Sequence, residues 1–424
     1  MNKKHSRIFL GLTMTVMILS FAGICSAQYY QRFNSELEQI IERARWRLGP
    51  LRFYPMIRFV DVGYDSNVYR VREEDNPTTD FTFTFSPQLD TYLLFKNWVI
   101  FSLAVNPEYV FYATETDQRS WNQNFSPGIK MFIFQRFVLS GNYGYRKGKR
   151  RGTSEFDVRV NIETKSYLGS LYYEMTRRTT LGFSGSWREI KHEDIFEPDF
   201  AARYSILDRT EKEGILHFYY SVFTDSIFFT NAGYTEYVFD QPASNWRDSY
   251  AYWIYSGIQF PILGRIRGTF SLGFKTLQPE RSRKQGFTGF VGNTRLDYRA
   301  GRFGFRFSYV RDCQFSFWTD NVYFIEERIG PGVSFYVSQR IRLDYNVLFG
   351  DNYYPEPVTI RLPDESYQDI NRDDDYLSHS VGLIFRVYRS IGIGLVGYYW
   401  KRDSNYPGVS RTWGFLGGYL TYEF

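Results

Sequence analysis

The stretch FTFTFSPQLDTYLLFKNWVIFSLAVNPEYVF, residues 81–111, decides how the chain is read. Phe81, Phe83, Phe85, Pro87, Leu89, Thr91, Leu93 and Phe95 share one parity. Thr82, Thr84, Ser86, Gln88, Asp90 and Tyr92 share the other. After Lys96-Asn97, the apolar positions Val99, Phe101, Leu103, Val105, Pro107, Tyr109 and Phe111 alternate with Ser102, Ala104, Asn106 and Glu108. A period of two means strand, because successive side chains leave a pleated sheet on opposite faces. The pattern predicts two long antiparallel strands joined by a tight turn, one face greasy and the other small or polar. In water the greasy face needs a second layer; in a membrane, lipid covers it.

Composition agrees with the membrane. Of 424 residues, 20 % are aromatic, dominated by 36 Tyr and 40 Phe, residues that favour strands and membrane-interface belts. Mean hydropathy is −0.40, and beyond the N-terminus no long apolar run offers a transmembrane helix. A β-barrel spans nonetheless, since only alternate residues need be apolar.

Residues 1–27 read as a secretory signal: Lys3, Lys4 and Arg7, then an apolar run, then Cys25-Ser26-Ala27 as the cleavage site. Bulky Ile24 argues against lipidation at Cys25. Cleavage would leave 424 − 27 = 397 residues, and loss of those three cations takes the formal charge from +5 to +2. Any anion preference must then come from local placement. Cys313 would be the sole remaining cysteine, which excludes an intramolecular disulfide. In residues 28–50, a segment expected in the periplasm, Leu37, Ile40, Ile41, Ala44 and Leu48 keep helical spacing. A Ser35/Glu38 capping box and a Gly49-Pro50 stop predict a helix over 35–48. It packs at the barrel mouth, plugs it, or docks a partner.

One unit repeats through the remaining residues, 51–424. Short turns are expected at 96–97, 135–136, 176–179, 224–226, 261–264, 299–302, 338–340 and 388–390. Long polar loops are expected at 113–120, 147–154, 190–210, 240–247, 276–286, 312–320, 350–375 and 401–411. Short turns on one side and long loops on the other are the asymmetry of outer-membrane barrels. Eight hairpins plus a first and a last strand give an all-β, antiparallel up-and-down barrel of about eighteen strands, with both termini on the periplasmic side. A propeller would put four short strands in each repeat, where this one has room for two long ones.

Chemistry is sparse. His192, His217 and His379 lie in separate hairpins. Gly182-Phe183-Ser184-Gly185-Ser186 misses a nucleophile elbow by one residue, and His192-Glu193-Asp194 and Asp373-Asp374-Asp375 read as loop charge. No catalytic residue, metal or cofactor is assigned, although a barrel enzyme could draw on distant strands. The polar parity carries the better signal. It places Arg159, Lys165, Arg265, Arg267, Lys275, Arg295, Arg306, Arg342 and Arg386 inward. With them go Asp90, Glu108, Asp157, Glu163, Asp297 and Asp344, many of which could pair across strands.

Gly49-Pro50 followed by Gly63-Tyr64-Asp65-Ser66-Asn67-Val68-Tyr69, ahead of repeated hairpins, resembles the β-barrel porin family found among bacterial exopolysaccharide-export genes. Read locally, the motif is a loop start, with Gly63 at a bend and Asp65 and Asn67 closing side-chain turns. The last strand, with Leu420, Tyr422 and Phe424 on one parity, resembles the C-terminal signal of bacterial outer-membrane barrels. The resemblance implies a protein of the Gram-negative outer membrane with a role in passing an exopolysaccharide to the cell surface, and the inward Arg and Lys add the expectation that the polymer is anionic. Its partners would be outer-membrane lipid and lipopolysaccharide, the barrel-assembly machinery and periplasmic polysaccharide-export proteins, with no nucleic acid. A diffusion porin, a barrel enzyme and a surface-adhesive structural barrel are the alternatives.

Overall fold

The computed structural model describes residues 33–423 except 97, 135, 194–195, 198–201, 223–225, 261–264, 319, 362–365 and 389. The secretory signal and Phe424 therefore lie outside the described residues. Eighteen strands form the wall. They are β1 (Leu51–Asp65), β2 (Asp80–Phe95), β3 (Val99–Val105 and Glu108–Tyr112), β4 (Ser120–Ile133), β5 (Phe137–Arg150), β6 (Val160–Glu174), β7 (Thr179–His192), β8 (Arg209–Ser221) and β9 (Ile227–Phe239). Then follow β10 (Ser249–Phe260), β11 (Ile266–Pro279), β12 (Phe287–Ala300), β13 (Phe303–Phe315), β14 (Tyr323–Tyr336), β15 (Ile341–Tyr353), β16 (Asp373–Arg386), β17 (Ile391–Ser404) and β18 (Arg411–Glu423). Each pairs antiparallel with its sequence neighbours, and β1 pairs with β18, so the sheet closes without an edge. The expected short turns at 96–97, 135–136, 224–226, 338–340 and 388–390 fall between strands, those at 176–179 and 299–302 overlap strand ends, and 261–264 lies outside the described residues. β3 is broken at Asn106-Pro107, where proline has no N–H to give the ladder.

The N-terminal helix α1 spans Phe33–Arg43, shorter than the spacing suggested. Trp46–Leu48 instead turns through Gly49, at φ +56°, and pairs with Leu51–Phe53 of β1. Tertiary pairing thus overrides helical spacing. Helix α1 lies against the inner wall at the turn end, Leu37 and Ile40 buried on Leu94 and Ile100. The Tyr54 hydroxyl donates to the Ile40 carbonyl, and Glu36 pairs with Lys130.

The outer face is coated in exposed apolar residues: Phe183, Leu216, Phe270, Leu272, Phe349, Leu395 and Leu416 among them. Leu420 and Tyr422 share that face. Cross-strand ring pairs such as Phe83–Phe111, 4.8 Å apart, lock neighbouring strands together. Among the described residues no helix is long and apolar enough to cross a membrane; the strands do the crossing.

Candidate functional site: the lumen and its inserted loop

Loop 151–159, between β5 and β6, turns into the bore and fastens to the wall opposite. Arg402 of β17 donates from Nη2 to both carboxylate oxygens of Asp157, each at 2.8 Å, and from Nη1 to the Ser154 carbonyl at 3.2 Å. Asn352 of β15 donates to Ser154 Oγ at 2.9 Å. Glu155 accepts from Ser316 Oγ at 2.9 Å, the Phe317 N–H at 2.6 Å and the Tyr354 hydroxyl at 2.9 Å. Arg402 is 0 % and Glu155 1 % exposed, so these charges survive burial only because they are paired and hydrogen-bonded. Arg372 supports the arrangement. It holds Asp374 in a fork at 2.9 and 2.7 Å and stacks on Tyr354 and Trp318, 4.5 and 4.6 Å from the ring centres.

The loop end of the bore is filled with a second apolar core. Phe156 meets Tyr204 and Phe317 with ring centres 4.6 and 5.5 Å apart. The wall contributes as well. Pairing of β12 with β13 ends at Gly292–Arg311, although both strands run further. The freed end of the β13–β14 hairpin packs Cys313, Phe315 and Tyr323 against Phe239, Leu277 and Phe287 of β9, β11 and β12.

This core corrects two expected lumen residues. Along β6 the inward side chains include Val160 and Ile162, 0 % and 2 % exposed, because the bore is apolar at that height. Glu163 and Lys165 therefore point outward, with Tyr145 and Lys147 of β5 as register partners. Arg159 and Asp157 are interior but come from the inserted loop; Arg159 donates to the Gln118 and Lys149 carbonyls at 3.3 and 3.0 Å. Arg265 precedes β11, in the turn, and is exposed.

The other named charges are on the inner face. Lys275 pairs with Asp312 at 2.8 Å, Arg306 with Asp297 at 3.2 Å and Arg342 with Asp344 at 2.9 Å. Asp90 accepts from Gln88 Nε2 at 3.0 Å, and Glu108 takes the inward parity of β3. Arg267, Arg295 and Arg386, toward the turn end, carry no salt bridge among the described residues and are exposed to the bore.

The motif Gly63–Tyr69 is a clasp across the closure. The Asn67 N–H donates to Asp65 Oδ1 at 3.0 Å, and the Asn67 amide bridges Val71 and the Thr412 carbonyl of β18 at 2.8 and 3.0 Å. Trp413 Nε1 donates to Asp65 at 2.7 Å, and Ser66 exchanges two bonds with Gly414. A Cβ on Gly63 would lie 2.1 Å from the Leu416 carbonyl oxygen, so only glycine allows β1 this close to β18. Tyr69 continues into the loops, donating to Glu115 at 2.6 Å.

One constellation was not visible in the sequence. Ser184 Oγ lies 2.8 Å from His217 Nε2, and His217 Nδ1 lies 2.9 Å from Asn231 Oδ1. The order is that of a hydrolase relay. All three are buried and form a hydrogen-bonded chain across β7, β8 and β9 on the inner wall. His192 is tied to Asp208 at 2.9 Å and Glu193 to Asn161 at 3.0 Å, while Asp194 lies outside the described residues. His379 is on the lipid side, 3.0 Å from the Tyr345 hydroxyl. Among the described residues no cluster of His, Cys, Asp or Glu is placed to hold a metal.

The architecture has known counterparts. A BenF-like porin from Pseudomonas fluorescens Pf-5 superposes with a TM-score of 0.50 at 10 % identity, over 89 % of this chain and 99 % of its own. The siderophore receptor PirA from Pseudomonas aeruginosa gives 0.46 at 8 % identity, over 90 % and 81 %. At 10 % identity the porin shares the fold alone. No curated protein matches the sequence. The family described as "Putative beta-barrel porin 2" matches residues 203–414, half of the chain, and with the closed eighteen-strand wall around a polar bore this makes the chain a member of that outer-membrane porin family.

Proposed function

We propose that this barrel is a gated conduit that passes an acidic exopolysaccharide from the periplasm to the cell surface, with loop 151–159 as the gate. The observation that carries the reading is the asymmetry of the bore. Its turn end presents Arg267, Arg295 and Arg386 without salt bridges among the described residues, and its loop end is barred by Glu155 and Asp157 locked to the far wall. Basic side chains ringing a pore favour anions. A diffusion porin for small solutes would need no such bar.

A disulfide across the bar tests this. Ser154→Cys with Asn352→Cys joins positions whose side chains now touch. Under oxidation, surface polymer should fall to the level of a strain lacking the protein and return on reduction. Unchanged polymer with the bridge formed would end the export reading. If only small-solute uptake responded, the protein would be a diffusion porin.

A further inference from the structure

The latch around Asp157 gathers more positive charge than one carboxylate needs. Arg402 takes both carboxylate oxygens, and Arg411 of β18 stands 3.5 Å from one of them. Arg151 donates from Nε to the Asp157 backbone carbonyl at 2.6 Å and from Nη2 to the Val68 carbonyl at 3.1 Å. Arg159 lies beside Arg151, over the Tyr112 ring. Arg70, next after the clasp, completes the nest. Its guanidinium sits over Trp400 and Trp413, 4.5 and 4.9 Å from the ring centres, and its buried Nε has no hydrogen-bond partner among the described residues. The backbone there is held at φ +50°, a left-handed conformation that side chains rarely adopt and that collects at functional sites. Among the described residues Asp157 has salt bridges with Arg402 and Arg411, and Arg70, Arg151 and Arg159 have none.

The neighbouring carboxylates do not cancel this charge. Asp65 accepts from the Asn67 N–H and Trp413 Nε1. Glu155 and Asp374 are matched by Arg247 and Arg372. Glu73, Glu74 and Asp75 belong to the outer loops, bonded to Thr412 and Arg72, and Glu115 and Asp117 there take the Tyr69 hydroxyl. Inside the bore Asp61, Asp65, Glu108 and Asp157 stand against Arg70, Arg146, Arg151, Arg159, Arg402 and Arg411, four to six. When loop 151–159 withdraws, Asp157, Arg151 and Arg159 leave with it. Arg70, Arg402 and Arg411 stay on clasp and wall, three guanidiniums around the place of one carboxylate. Guanidinium forks suit carboxylates, and buried cations need counter-charge. We propose, building on the conduit reading above, that this nest binds the carboxylate of an acidic sugar, that Asp157 is its internal substitute in the closed barrel, and that the arriving polymer opens the gate by exchange. The gate then answers to the charge of the cargo: a neutral chain has nothing to put in the place of Asp157.

Calorimetry on the purified full chain tests this with trigalacturonate as the acidic probe and maltotriose as a neutral one of equal length. Asp157→Asn removes the internal competitor, so D157N should bind trigalacturonate roughly tenfold or more tighter than the wild type. The turn-end arginines are common to both proteins, so the difference reads the nest. Adding Arg70→Gln should erase the gain, and maltotriose should bind neither protein. In planar bilayers, trigalacturonate on the turn side should raise wild-type opening by about tenfold or more, and maltotriose should not. Equal affinity of wild type and D157N, a gain that survives Arg70→Gln, or inorganic phosphate bound by D157N as tightly as trigalacturonate would each overturn the proposal. A wild type that trigalacturonate leaves shut would overturn it too, even were D157N unable to fold. The export reading fails separately, on surface polymer unchanged by the Ser154→Cys/Asn352→Cys bridge.

Discussion

Replacing Asp157 with Asn should open the bore. The carboxylate holds Arg402 through two bonds of 2.8 Å, and Arg402 is wholly buried, so the substitution strands a guanidinium without its counter-charge. Breaking a buried pair by removing one partner costs about 3–5 kcal/mol. Arg402 keeps the Val409 and Ser154 carbonyls as acceptors, which points to the lower end. That cost falls on the closed state alone, because with the loop withdrawn Arg402 regains water. The open-to-closed ratio should therefore rise by roughly two orders of magnitude. Single-channel recording in planar bilayers reads this directly: a wild type almost always shut, and a D157N protein with long openings of large conductance. A D157N barrel that folds and stays as closed as the wild type would refute the gate.

Three further outcomes follow from the same structure. In the opened D157N background, Arg267→Glu with Arg295→Glu and Arg386→Glu should turn ion preference toward cations, more strongly at low than at high salt, as reversal potentials will show. Gly63→Val should prevent stable closure of β1 on β18, because its Cβ would overlap the Leu416 carbonyl; the heat-modified, folded band on a gel should disappear while an inner-face change such as Thr269→Val leaves it. Burial in the inserted loop raises the Glu155 carboxyl above its ordinary range, opposed by the nearby Arg372. A raised closed-state value means the closed state holds the proton more tightly. Its stabilising contribution is thus complete at acid pH and is lost as pH rises through that value. Open probability of the wild type should rise as pH increases through that value, while Glu155→Gln, which cannot titrate, should lose this dependence, and equal pH profiles for the two would contradict this.

The wall was legible because lipid imposes a period of two on every crossing strand. Phe81–Phe95 and Ile266–Pro279 obey it, and the turns between strands stand out as breaks in it. The interior was less legible. Parity assigns charge inward only where the bore is wet, and it failed at Glu163 and Lys165 because an apolar plug sits inside the wall at that height. The plug itself gave no local signal. Asp157 meets Arg402, and Glu155 meets Tyr354, across sequence distances that no periodicity reports. Ser184, His217 and Asn231 come together only through strand register. In the motif, the turn formed by Asp65 and Asn67 was readable, but its grip on Thr412, Trp413 and Gly414 was not.

The clasp at Gly63–Tyr69 has a consequence in time. The ladder it fastens joins strands some 350 residues apart (Trp413 to Asp65 is |i−j| = 348), so its loop-closure cost is the largest in the wall and it is the natural last step of assembly. Until it forms, β1 and β18 present open edges, the form that an assembly factor can hold. Once Asn67 bridges to Thr412 and Trp413 reaches Asp65, both edges vanish together and the finished barrel is free to leave. Defects in this motif should thus show as barrels retained during biogenesis, not as altered pores in barrels that have matured.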